Sequence, residues 1–120
     1  MSSHHSANPA CEYLRSLDKT VVSPAELQRF IAELAAQDPG SREEALAHLL
    51  RTVQLSPEEV ITLSKAPPVR TALGLQLQLK RYTRARQYAA SHAAESKRLA
   101  SGWAKAAEFV KAFITSLPPV

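Results

Sequence analysis

The sequence predicts an all-α fold, a compact bundle of four to five short helices, and three observations carry that reading. Only 3 of the 120 residues are glycine, fewer than turn-rich β-folds use, while Ala and Leu are frequent and both favour helix. Ser-x-x-Glu helix-start boxes occur at Ser23–Glu26, Ser41–Glu44 and Ser56–Glu59. Behind these boxes the apolar residues recur with the spacing of one buried helical face.

Residues 1–20 are expected to be mostly disordered or partly helical. Met1-Ser2-Ser3-His4-His5-Ser6 is polar, and residues 10–19 offer two helical turns with Leu14 and Leu17 on one side. A helical bundle domain is expected over 21–117, with 118–120 as a tail; a chain of this length fits one domain.

The first box is the plainest start. Ser23 accepts from the amide three residues on, Glu26 reaches back, and Pro24 lacks an N–H that would be unpaired anyway. Leu27, Phe30, Ile31, Leu34 and Ala35 then make one stripe, which Asp38-Pro39-Gly40 stops. Leu46, Leu49, Leu50 and Val53 follow the Ser41 box, and Val60, Ile61 and Leu63 follow Ser56. This third helix must end near Lys65, because Pro67 disfavours helix in the residue before it.

Residues 69–80 are two-faced. Leu73, Leu75, Leu77 and Leu79 alternate as in a half-buried strand, yet no second segment offers a partner, and a lone strand leaves its backbone unpaired. Helix is therefore expected, with Val69, Leu73, Leu77 and Lys80 along its stripe. Residues 85–117 are alanine-rich, with Tyr88, His92, Leu99, Trp103, Ala107, Val110 and Ile114 near one face. One unbroken helix there would run ~50 Å, longer than such a domain is wide, so a break is expected around Ala90–Ala94 or near Gly102.

Composition excludes several function classes. The single cysteine, Cys11, rules out an internal disulfide framework and a cysteine-based zinc cage, and nothing near it in sequence supplies a base. The 4 histidines fall at His4, His5, His48 and His92, without the short paired spacing of metal ligands. Glu43-Glu44 and Glu58-Glu59 sit in first helical turns, where negative charge complements the helix dipole. No glycine-rich phosphate loop occurs, and no apolar run is long enough to cross a bilayer. No enzyme activity, cofactor or metal is expected.

Charge is unevenly spread. Through residue 64 there are 5 basic against 9 acidic side chains, and after it 10 against 2, so a net +4 hides halves of −4 and +8. A basic half points to an acidic partner. The candidate partner-binding residues are Lys65, Arg70, Lys80, Arg81, Arg84, Arg86, Lys97, Arg98, Trp103 and Lys105. The run Lys80–Arg86 also reads as a solvated helix end, since cations suit a helix C-terminus. Trp103, the only tryptophan, reads first as core and second as an anchor with one ring edge in a groove.

From Ser23 onward the order of features resembles the N-terminal (LW) domain of the transcription elongation factor TFIIS and its relatives. The amphipathic helix Pro24–Gln37, the leucine-rich helix Glu43–Val53, the Ser-capped helix Ser56–Lys65 and the segment Pro68–Arg81 with its basic end match that order. Leu99-Ala100-Ser101-Gly102-Trp103 followed by Lys105 is similar to the family's Leu-x-x-x-Trp helix. The resemblance covers about 90 residues from Ser23 onward. It implies a TFIIS N-terminal-like right-handed bundle, a nuclear setting, and a monomer that docks short acidic/hydrophobic disordered motifs of the transcription machinery. Basic side chains would steer such a peptide and an apolar groove would hold its anchor. Two alternatives stand beside it. One is a nucleic-acid-binding helical domain using residues 80–86, for which weak binding is expected in any case. The other is a helical scaffold that self-associates through Ala89–Ala107.

Overall fold

In the computed structural model, which describes residues 8–92 and 97–117, helix accounts for nearly all regular structure and no strand occurs among those residues. Seven helical segments replace the four to five expected. The additions are a first helix ahead of Ser23 and a single proline-led turn, and the long last segment is broken. Packing divides the chain into two compact units, Met1–Leu55 and Ser56–Val120.

The first unit holds α1 (Pro9–Leu17), α2 (Pro24–Ala35) and α3 (Pro39–Thr52). Asn8 caps α1: its Oδ1 accepts from the Cys11 amide, while its Nδ2 donates to Ser41 O at 3.2 Å and Glu44 Oε1 at 3.0 Å on α3. The Ala10 amide donates to Gln37 Oε1 at 2.7 Å. Ala10, Cys11 and Leu14 are buried, so α1 is part of the core.

In α2 the reciprocal capping box forms as the sequence requires, with Ser23 N donating to Glu26 Oε1 at 2.8 Å and Glu26 N to Ser23 Oγ at 3.1 Å. Lys19 Nζ lies 2.8 Å from the same carboxylate. Leu27, Phe30, Ile31 and Leu34 are buried, whereas Ala35 is exposed.

The start of α3 corrects the expectation of a Ser41 cap. Asp38 is the cap, its carboxylate accepting from the Ser41 amide and hydroxyl, and Pro39 takes the first helical position. Asp38-Pro39 thus begins a helix as well as ending one. Arg42 closes the turn by donating to the last α2 carbonyls, Leu34 O at 3.0 Å and Ala35 O at 2.9 Å. Leu34 O also accepts from the Gln37 amide at 3.1 Å, and no basic residue in the last turn of α2 serves these carbonyls. Ala45, Leu46, Leu49 and Val53 are buried, with Leu50 partly so.

The second unit holds α4 (Pro57–Lys65), α5 (Pro67–Arg70), α6 (Leu73–Ser91) and α7 (Lys97–Ser116). A full capping box at Ser56 and Glu59 opens α4, and Val60 and Leu63 are buried with Ile61 at the margin. Ala66, extended at φ −64 and ψ 136, ends α4 and begins α5, as the proline after it demands.

Residues 73–91 are helical, yet the buried face differs from the stripe expected there. Leu75, Gln76, Leu79 and Thr83 point inward, while Leu73 is 39% exposed and Leu77 and Lys80 are intermediate. Leucine at every second position supplies apolar groups to all sides of a helix, so Gln76 decides the face. Fully buried, its Nε2 donates to Ser64 O at 2.9 Å and Val69 O at 3.2 Å, tying α6 to the ends of α4 and α5.

Between α6 and α7 the break falls after Ser91, with His92 as the cap, and α7 runs on through Gly102. A Cβ on Gly102 would lie 3.2 Å from Pro57 Cγ, so α4 and α7 approach closely there. Trp103, Ala106 and Val110 are buried, Ala107 and Ile114 partly so; Tyr88, expected on the inner face, is 67% exposed. Leu99 is outside the described side chains.

Candidate functional site: a basic cleft between two helices

The two long helices of the second unit pair closely, and aromatic packing fixes their register. The rings of Tyr82 and Trp103 meet edge to face, centroids 5.8 Å apart at 70°. On the Trp103 ring also lies the Arg86 guanidinium, 5.4 Å from the centroid. Trp103 is only 3% exposed, which corrects the picture of a ring edge open in a groove. The tryptophan positions the helices and presents almost nothing to a partner.

One to two turns beyond Trp103 on α7, the same pairing opens a cleft of about 320 Å³. Lys80, Arg84 and Gln87 line it from α6, and Ala107, Glu108 and Lys111 from α7. The spacing 80, 84, 87 is one face of a helix, and 107, 108, 111 is the facing strip on its neighbour. Three cations therefore face one carboxylate. Glu108 makes no ion pair within 4 Å among the described residues, so the charges around the cleft stay open to a ligand.

The candidate residues from sequence divide accordingly. Lys80 and Arg84 are brought together in the cleft. Arg81 is exposed but outside the cleft lining, and Arg86 is engaged on Trp103, so the run 80–86 is not a single surface. Arg70 lies 5.6 Å from the Phe113 ring centroid, a packing role for part of its side chain. Lys65, Arg98 and Lys105 are exposed and do not line the cleft. Lys97 is outside the described side chains. Lys111 and Glu108 complete the cleft yet were absent from the candidate set; the i, i+4 step from Ala107 to Lys111 was the available signal, but it needed the helix pairing to be meaningful.

Burial pushes the Cys11 thiol up, with Arg15 opposing and Glu44 adding to the rise, which disfavours the nucleophilic thiolate. No group of three or more His, Cys, Asp or Glu among the described residues could hold a metal ion. No helix among them is long and apolar enough to cross a membrane.

No family model, curated protein or solved structure matches this chain.

Proposed function

We propose that this chain is a protein–protein interaction module that docks acidic segments of partner proteins in the cleft between α6 and α7. The observation that carries the reading is the convergence of Lys80, Arg84 and Lys111 on one cleft, opposed only by Glu108. The second unit as a whole carries 10 basic against 4 acidic side chains, so the field around the cleft favours the approach of an anionic chain. Ala107 is the single apolar lining residue, and Trp103 is buried. Recognition at the cleft itself is therefore chiefly electrostatic, with on-rate and salt dependence as its signature. A place among transcription elongation factors, in the nucleus and as a monomer, is the form of this proposal that the likeness of residues 24–105 to the TFIIS N-terminal domain supports.

The test is a titration of the whole chain with an acidic, phenylalanine-containing peptide, followed by amide NMR. Saturable shifts centred on residues 80–87 and 107–111 are expected, and Arg84→Glu with Lys111→Glu should weaken binding by about tenfold or more, the scale of 1.4 kcal/mol. Unsaturable or scattered shifts would end the reading. Submicromolar, sequence-selective binding to nucleic acid would replace it with the nucleic-acid alternative.

A further inference from the structure

The first unit has a cleft of its own, about 410 Å³, which the docking reading leaves unused. Leu14 and Arg15 of α1, its C-cap Asp18, Lys19 and Thr20 after it, and His48 and Thr52 of α3 line it. We propose that this cleft binds a small phosphate monoester, with Arg15 and His48 as the principal donors and the Thr20 hydroxyl beside them.

Size is the first argument. A cleft of this volume is in the range that holds small organic ligands, about 300 Å³ and upward, rather than a bare ion. Donor chemistry is the second. Arg15 makes no ion pair within 4 Å among the described residues, and its planar fork suits an oxyanion with several acceptor oxygens. Lys19 is committed to Glu26 at 2.8 Å, so it contributes less than its charge implies. The Thr52 hydroxyl donates to His48 O at 2.8 Å, which leaves it able to accept and holds the α3 wall of the cleft in place.

Local potential is the third argument. Burial, then Arg15, then Arg51 hold the His48 imidazole below its ordinary range, even with the Asp18 carboxylate in the same lining. The charged groups around it are Arg15 from α1, Asp18 and Lys19 from the turn after it, and Arg51 from α3. Glu12 and Glu44 act with Arg15 and Arg51 on the neighbouring Cys11 thiol instead. A dianion placed against Arg15 would reverse the balance at His48 and favour the imidazolium. Binding of a ligand that stays a dianion and protonation of His48 should thus support each other, the affinity for such a ligand rising as pH falls; a phosphate monoester takes up a proton of its own near pH ~6, which offsets the gain.

Sulfate is the informative first probe, because it stays a dianion across the range in which histidine titrates. Added to the full chain and followed by NMR of the His48 ring, it should saturate, raise the His48 pKa, and bind about tenfold more tightly at pH 5 than at pH 7.5. That figure corresponds to a rise of about one pKa unit. At pH 7.5, where both are dianions, glycerol 3-phosphate should bind more tightly than sulfate, since its organic part fills more of the cleft. Arg15→Gln should weaken both, while His48→Gln should retain binding at pH 7.5 and lose its pH dependence. Equal shifts from chloride at matched ionic strength, pH-independent sulfate binding, or full affinity in Arg15→Gln would overturn the proposal. An ester no tighter than sulfate at pH 7.5 would overturn its assignment to a phosphate monoester.

Discussion

The guanidinium of Arg86 lies over the ring of Trp103, 5.4 Å from its centroid, and joins α6 to α7 together with the edge-on ring of Tyr82. Two effects act at this junction and differ in size. A cation over an aromatic face at an exposed arginine contributes about 0.5–1 kcal/mol, whereas removing a buried tryptophan side chain costs about 3–5 kcal/mol. Arg86→Ala should therefore lower unfolding free energy only slightly in urea, and Trp103→Ala severely. Equal losses would mean that the arginine does more than cover the ring.

Gln76 places a polar amide where the sequence pattern asks for leucine. Its Nε2 serves Ser64 O and Val69 O, and Val69 O also accepts from the Ala72 amide, so Ser64 O depends on it more. The amide oxygen has no partner among the described residues. Gln76→Met keeps the volume and removes that unpaired oxygen, but it orphans a carbonyl at the end of α4. A buried unsatisfied group costs about 1–3 kcal/mol, so net destabilisation of that order is expected by chemical denaturation, despite the more apolar side chain. An unchanged or raised midpoint would show that water reaches Ser64 O.

These two residues also mark where sequence stopped being sufficient. Local chemistry was readable: the Ser23 and Ser56 boxes need only residues within one turn, and both form as written. Asn8-Pro9 and Asp38-Pro39 are the same kind of signal, cap followed by first helical residue. A helix of 9 residues offers little periodicity to back such a cap, and a proline after an aspartate reads equally as a stop. The face of α6 depends on what Gln76 meets across space, which no periodicity encodes. Counting charges located the basic half; only the pairing of α6 with α7 selects Lys80, Arg84 and Lys111 from its ten cations.

The Ser23 box has a charge dependence that can be read directly. The Lys19 ammonium, and then the Ser23 backbone amide, hold the Glu26 carboxyl below the ordinary carboxylate range. A carboxyl depressed in the folded state adds stability above its unfolded pKa, and that stability fades as pH falls through the folded value. Lys19→Gln should move the Glu26 pKa upward in a carbon-detected NMR titration while leaving the box hydrogen bonds intact. No movement would mean that the ion pair at 2.8 Å is not populated in solution.

Gly102 sits mid-helix, where replacing glycine by alanine ordinarily stabilises by about 1 kcal/mol. Here the new methyl would meet Pro57 Cγ at 3.2 Å, a few tenths of an ångström inside comfortable contact, and a proline ring can shift that far by changing its pucker. The two effects are similar in size and opposite in sign. Gly102→Ala should therefore leave stability within about 0.5 kcal/mol of the parent, below the gain that helix propensity alone predicts. A larger side chain has no such remedy. Gly102→Val adds two methyls against Pro57 and a β-branch within the helix, and overpacking of this kind costs about 1–3 kcal/mol. Because α4 and α7 would be forced apart at that point, the Val variant should also show amide shifts along 57–63 and 99–106. A Val variant as stable as the Ala variant would show that α4 and α7 are not held at this separation.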